Sequence, residues 1–351
     1  MTATAAPLDV RHLFTAPPGY LNAATSGLAP RAVAQAMHTA VDAWAGGEGT
    51  MAGYDLAIER ARTAFARLVG VPAGAVSIGS QVSVMVGAVA ASLPDGARVL
   101  LAEGDFTSVT YPFLAQAHRG IQVRTAPPAQ LAEAVRSGDD LVAFSLVQSA
   151  DGMLLDGPAI AAAARSAGVR TLVDLTQAAG WLPVAAGAYD VTVTGAYKWL
   201  CAPRGTAFAT VGPQALEWLR PVHAGWYAGA DPATSMYGCA MHLADDARRL
   251  DVSPAWLAWC GAAPALELFA ELDPQALLDH DVRLADTVRT ELGLDPTGSA
   301  IVALPDPDGS RRRALTAAGC TVAGRDGGVR LAFHVWNDEE DVARAVTALR
   351  A

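Results

Sequence analysis

The chain is almost without lysine. Of its 25 basic residues only Lys198 is a lysine; the other 24 are arginine. Charge of any kind is scarce, at 17% of 351 residues against 52% hydrophobic, and the net charge is −10. A net-negative chain is poorly matched to nucleic acid or an anionic membrane surface, so neither is expected as a main partner. Cysteine is sparse too. Cys201, Cys239, Cys260 and Cys320 have neither zinc-ligand spacing nor a CxxC pair, and reduced thiols in a cytoplasmic protein are the expectation. No uninterrupted apolar run approaches a membrane span. The opening MTATAAPLDV lacks the basic and apolar regions of a secretory signal. No GxGxxG or Walker-type GxxxxGK(S/T) pattern follows a strand, which disfavours a nucleotide-binding protein.

What is present is a regular alternation. Length and composition suit a large α/β domain with a smaller appendage. Helices are expected over 29–44 and 54–69, with Gly46-Gly47 as the breaker, and over 82–93, 108–118, 130–136 and 158–167. Short apolar runs at 99–101, 121–123, 141–146, 171–174, 191–194 and 206–211 read as strands. Continuous apolar strands between helices predict a mainly parallel sheet covered on both faces. After about residue 240 the pattern changes. Long helices are expected over 254–272 and 274–292, strands over 300–303, 321–323 and 329–333, and a closing helix over 338–349. Asp338 is its expected N-cap, with Asp341 at the capping-box position. The expected organisation is an N-terminal segment over 1–28, a large α/β domain over 29–240 and a small α+β domain over 241–351. The Ala-Pro tract at the start is expected to be partly disordered.

Lysine and arginine differ in one chemical respect that matters here. Arginine cannot lose its proton in a protein, whereas a desolvated lysine amine can, and a neutral amine forms Schiff bases with carbonyls. Lys198 follows the β-branched run Val-Thr-Val-Thr-Gly-Ala-Tyr and precedes a Pro-Arg-Gly turn. Ligands of open α/β sheets bind beyond the carboxyl ends of strands, so Lys198 is expected at a site mouth. A GC-rich coding composition that swaps Lys for Arg would also leave one lysine by chance.

Two further segments bear on this choice. In Thr171-Leu-Val-Asp174-Leu-Thr-Gln177 an apolar strand ends in an acid. A buried carboxylate needs a partner, and a protonated pyridine nitrogen is one; an ordinary helix cap is another. Ser77-Ile-Gly79-Ser80-Gln81-Val82-Ser83 opens an apolar helix, where backbone amides hold a phosphate or merely form a cap.

Together these segments resemble the class V aminotransferase family of fold-type I enzymes that depend on pyridoxal 5'-phosphate (PLP), a family that includes cysteine desulfurases, kynureninases and isopenicillin N epimerase-like proteins. The resemblance runs from about Tyr20-Leu-Asn-Ala-Ala to the C-terminus, and its most specific part is Val-Asp-x-x-Gln-Ala paired with Tyr-Lys-Trp-Leu. It implies a large domain on a mainly parallel mixed sheet plus a smaller α+β domain. It makes Lys198 the lysine that bonds the cofactor, Asp174 the pyridinium partner and Gln177 a neighbour of the ring hydroxyl, with Ser149 sharing that task. Phe106 takes the position that stacks on the ring. Ser80, Gln81 and Val82, with Thr194 and Tyr197, match the phosphate positions. His223-Ala-Gly225-Trp226-Tyr227 is similar to a loop that reaches the neighbouring subunit's cofactor, which implies a homodimer with shared sites and a cofactor contact by Trp226. Gly-Gly-Val-Arg330-Leu-Ala-Phe-His334-Val-Trp-Asn337 resembles the motif around the arginine that clamps a substrate α-carboxylate. Trp336 and Leu331-Ala332 depart from that motif, and His334 reads as structural.

The implied substrate is an amino acid. A desulfurase needs a thiol on a mobile loop before the clamp arginine, and Cys320 instead lies in an expected strand. The expectation is therefore a lyase or epimerase, with an aminotransferase, a desulfurase or a catalytically silent binding subunit as alternatives.

Overall fold

The computed structural model describes residues 8–351. The Ala-Pro tract at the very start, expected to be disordered, falls on residues 1–7 and lies outside the described residues.

The main sheet has seven strands: β1 (Val76–Gly79), β2 (Arg98–Ala102), β3 (Gln122–Ala126), β4 (Leu141–Ser145), β5 (Arg170–Asp174), β6 (Val191–Gly195) and β7 (Ala207–Val211). Their order is β1-β7-β6-β5-β4-β2-β3. Pairing is parallel from β6 through β3, while β7 runs antiparallel to both of its neighbours. β4 and β6 are buried at every position, as strands covered on both faces must be. The chain runs outward from β2 to β3, then returns to place β4 on the other side of β2. That reversal opens a crevice at the carboxyl ends of β2 and β4.

The helices of this part are α1 (Arg31–Ala45), α2 (Met51–Leu68), α3 (Val82–Ser92), α4 (Thr107–Leu114), α5 (Leu131–Ala134), α6 (Gly157–Ala167) and α7 (Pro213–Trp218). Strand β1 was not expected: only four residues long, it ends in Gly79 and reads as a helix lead-in. It is held by a buried ion pair. Arg62 on α2 meets Asp251 at 2.7 Å and the Val76 carbonyl at 2.6 Å, and Asp251 accepts from the Ile78 amide at 2.8 Å. A buried ion pair stabilises only when further hydrogen bonds satisfy it, and here the strand backbone supplies them.

Later in the chain come α8 (Trp256–Glu271), α9 (Pro274–Glu291), α10 (Ser310–Ala317) and α11 (Glu339–Arg350), with β8 (Ile301–Pro305), β9 (Ala323–Arg325) and β10 (Gly328–Ala332). The three strands form an antiparallel sheet in the order β8-β10-β9. α8 packs on α1 and α2, and its Trp259 meets Phe208 of β7 edge-on at 5.3 Å. The N-terminal segment goes the other way: Leu21 bonds to the Thr321 carbonyl and receives the Ala332 amide, joining it to the small sheet. Asp338 caps α11 as expected, accepting the Glu340 and Asp341 amides. Asp341 does not complete a capping box. Its carboxylate is taken by the Gly19 amide at 2.6 Å and by Asn337 Nδ2 at 2.8 Å, so it ties the N-terminal segment to α11 instead.

Candidate active site

The carboxyl ends of β2, β4, β5 and β6 converge on a cavity of about 200 Å³. Lys198, Asp174, Gln177, Tyr197, Ser149 and Phe106 all line it, and Ser80, Gln81 and Val82 border it at the start of α3. Residues distant in sequence thus meet at the crevice that the strand order opens.

Lys198 sits in a tight turn beyond β6. Cys201 donates its amide to the Lys198 carbonyl and holds φ at 54°, in the left-handed region. The N-terminal segment presses on the same turn. The Gly27 amide bonds the Tyr197 carbonyl at 2.9 Å, and a Cβ at Gly27 would lie 2.0 Å from the Lys198 carbonyl oxygen, so only glycine fits there. From behind, His334 Nε2 donates to the Trp199 carbonyl at 2.8 Å while Nδ1 meets Asp281 at 2.8 Å. His334 is completely buried and does not line the cavity, in keeping with a structural part.

Burial pushes the Lys198 amine down to about 7. The charges of Arg330, Arg325 and Arg204 push the same way, and Asp174 opposes them. Burial pushes the Asp174 carboxyl up to about 6, helped by the charge of Asp105 and opposed by its hydrogen bonds to Thr176 and by Lys198. Lys198 Nζ lies 5.5 Å from the centre of the Phe106 ring and 5.8 Å from that of Tyr197.

Several of these side chains are fixed before any ligand arrives. Gln177 Nε2 donates to the Ala24 carbonyl and to Ser149 Oγ, both at 3.0 Å, while its Oε1 accepts from Trp199 Nε1 at 2.8 Å. Ser149 Oγ also accepts from Arg330 Nη1 at 3.2 Å. An oxygen that accepts twice keeps its own proton free to donate into the cavity. Arg330 is 2% exposed and donates to the Ser149 carbonyl and to Thr25 Oγ1, the latter at 2.9 Å. Its Nε has no partner, and it forms no salt bridge among the described residues. A buried guanidinium without a counter-ion has donors that could serve an anion.

Three expected residues lie outside the cavity lining: Arg330, which stands behind Ser149, Thr194 and Trp226. Thr194 is on β6, where Val191 and Val193 face the α3 side and Thr192 meets Thr210 at 2.7 Å on the other. Strand alternation puts Thr194 on the Thr192 face, buried and with its Oγ1 unpaired. Trp226 opens a short turn and packs edge-on against Tyr227, whose hydroxyl bonds Asp55 at 2.9 Å. In the other direction, the cavity gathers residues the sequence did not flag. Thr176 joins the ends of β5 and β6 by accepting the Gly195 amide at 2.9 Å. Arg204 lies 4.8 Å over the Tyr197 ring. Just outside the lining, Asp105 accepts from the Ser145 amide at 2.7 Å and hydroxyl at 2.5 Å, fixing the loop that presents Phe106. A hydroxyl two residues after Asp174 was a readable signal for Thr176; nothing local marks Arg204 or Asp105.

This donor set fits one kind of cofactor. The first turn of α3 has no side-chain cap, which leaves its amides for a phosphate. Asp174 can face a pyridine nitrogen, Phe106 a ring face, and Lys198 an aldehyde.

Comparison with known proteins agrees with the geometry. A family model described as Aminotransferase class-V matches residues 20–308. Isopenicillin N epimerase from Streptomyces clavuligerus is 27% identical over 277 residues, which is 71% of this chain and 67% of that protein. Kynureninase from Deinococcus radiodurans is 33% identical over 239 residues, 65% of this chain but only 58% of the kynureninase. A solved C-DES variant with glycine covalently linked to its PLP cofactor shares the fold, with a TM-score of 0.83 at 21% identity over 96% of this chain and 99% of that one. The cofactor is PLP. A family match across most of the sequence, on a fold that brings its lone lysine and its strand-end acid into one cavity, settles the relationship: the chain belongs to the class-V aminotransferase family of fold-type I PLP-dependent enzymes.

Proposed function

We propose that this protein is a lyase or epimerase that acts on an amino acid. When bound, PLP supplies an electron sink for charge that develops at the substrate α-carbon. The chain supplies the rest. Arg330 holds the α-carboxylate with two parallel N–H donors and so fixes the orientation of the α-carbon. Lys198, poised near neutrality, takes and returns the proton there. Asp174 holds a proton on the ring nitrogen, Phe106 stacks on the ring, and Ser149 with Gln177 addresses its oxygen. The observation that carries this reading is a near-neutral amine in the cavity with a buried guanidinium, free of any counter-ion among the described residues, held behind Ser149 of the lining and close enough for its charge to act on Lys198.

Persulfide chemistry has less support. Cys320 is 4% exposed in the small-domain core, and burial pushes its thiol up, away from the nucleophilic thiolate. Cys320→Ala is expected to keep activity within about threefold. The decisive assay supplies amino acids to the PLP-loaded enzyme and identifies products by chiral chromatography and mass spectrometry. Inverted α-carbons or eliminated side chains bear out the proposal. An amino group passed to a keto acid, or sulfur transfer lost in Cys320→Ala, overturns it.

We also read the protein as a cytoplasmic homodimer. The Trp226–Ala228 turn leads into a loop that exposes Met236, Tyr237 and Met241, with Tyr237 94% exposed. An apolar surface of this kind is normally covered. Sedimentation at micromolar concentration should give a dimer, and Tyr237→Asp together with Met241→Asp should shift it toward monomer. A monomeric wild type would remove the shared-site reading.

A further inference from the structure

The small sheet carries a second guanidinium beside Arg330. β9 and β10 are joined by Asp326 and Gly327, whose φ values are 44° and 70°. Positive φ at both positions is the two-residue hairpin turn that Asp-Gly favours, and it fixes the register. Arg330 pairs with Ala323, and Gly328 with Arg325. Arg325 is therefore two residues along β9 from the partner of Arg330. The two side chains stand on one face of the sheet as diagonal neighbours.

Both reach the same hydroxyl. Arg330 Nη2 donates to Thr25 Oγ1 at 2.9 Å and Arg325 Nη2 at 3.4 Å. Arg325 Nη1 spends one donor on the Gly324 carbonyl at 2.8 Å, which leaves other N–H groups of its five for a ligand. Like Arg330, Arg325 has no carboxylate partner among the described residues. The two cations oppose each other: burial pushes the Arg330 guanidinium down, and the charge of Arg325 adds to it. One clamp for one α-carboxylate would not require the second cation. The arrangement becomes favourable when the ligand brings two negative groups. We infer that Arg325 is a specificity-determining residue that binds a second anionic group, so that the preferred substrates are amino acids with an acidic side chain. The inference rests on Arg330 as the α-carboxylate clamp. Arg325 is exposed, so its contribution should weaken with salt.

The test is a spectral titration of PLP-loaded protein with L-aspartate, L-glutamate and L-cysteate, each set against L-asparagine and L-glutamine. Acid and amide differ in charge but hardly in size. The acids are expected to bind about tenfold or more tightly than the amides at low salt, as one charge-assisted contact allows. Arg325→Gln should bring that ratio to near one, and 0.5 M NaCl should do much of the same. Equal binding of acids and amides by the wild type overturns the inference while leaving the parent reading intact. So does an Arg325→Gln variant that weakens all five ligands alike, because Arg325 would then serve the α-carboxylate or the fold. If no amino acid perturbs the spectrum at all, the amino-acid reading falls and takes this one with it.

Discussion

Lys198→Ala is expected to lose turnover by about 10⁴-fold or more, because the proposed mechanism uses the residue as both nucleophile and proton carrier. Lys198→Arg is expected to be as inactive. It keeps the positive charge but cannot offer a free amine, so it separates chemistry from electrostatics. Borohydride treatment of the PLP-loaded wild type should leave the cofactor fixed on one peptide. With a single lysine in the chain, a cofactor fixed on a side-chain amine must be at Lys198, and the peptide that carries it separates this from the N-terminal amine. The same scarcity gives a direct titration. Protein labelled with [ε-¹³C]lysine has one lysine signal, and in the cofactor-free protein it should titrate near 7. An unperturbed lysine titrates near about 10.4. The sign is fixed by the direction of the shift: the amine is protonated below about pH 7 and becomes available as pH rises through that value. Turnover that survives in Lys198→Arg, or a signal that titrates above pH 9, would remove Lys198 from the centre of the mechanism.

Why Lys198 and Asp174 were readable from sequence while Arg204, Asp105 and Arg325 were not is a matter of distance along the chain. Asp174 ends β5 and Lys198 follows β6 within a few residues, so local pattern places both at a carboxyl edge. Asp105 acts on Ser145, forty residues away, through a contact that exists only because β4 lies beside β2. Arg325 meets Arg330 only through a hairpin register that a three-residue strand sets. The parallel sheet was legible because its strands are continuous apolar runs. β1 was not, because four residues before a helix carry no periodicity of their own, and its place depends on Arg62 and Asp251. Thr194 shows the opposite limit. Its sequence position beside Lys198 suggested a shared site, yet strand alternation turns it away from the cavity lining.

Arg330→Ala should raise the Michaelis constant for an amino acid on the order of a hundredfold, since hydrogen bonds to a charged partner contribute about 1.5–3 kcal/mol each and here there are two. Turnover number should fall as well, because the clamp also aims the α-carbon. Arg330→Lys should recover only part of the affinity: the charge returns but the fork does not. A purely structural part is a real competitor. Through Ser149 and Thr25, Arg330 joins the small sheet to the loops around the cavity, so its loss also loosens the two parts of the molecule. Two measurements separate the roles. The positive charge of Arg330 helps to hold Lys198 down, so in Arg330→Ala the lysine signal should titrate higher. A tether without a substrate role would lower the melting temperature and cofactor retention while leaving the amino-acid concentration dependence unchanged. On the proposed clamp role, arginine rather than lysine at this position follows from the chemistry of the ligand. Only a planar fork can satisfy a serine carbonyl, two hydroxyls and a carboxylate from one buried charge, while the one lysine in the chain is kept where losing a proton is the point.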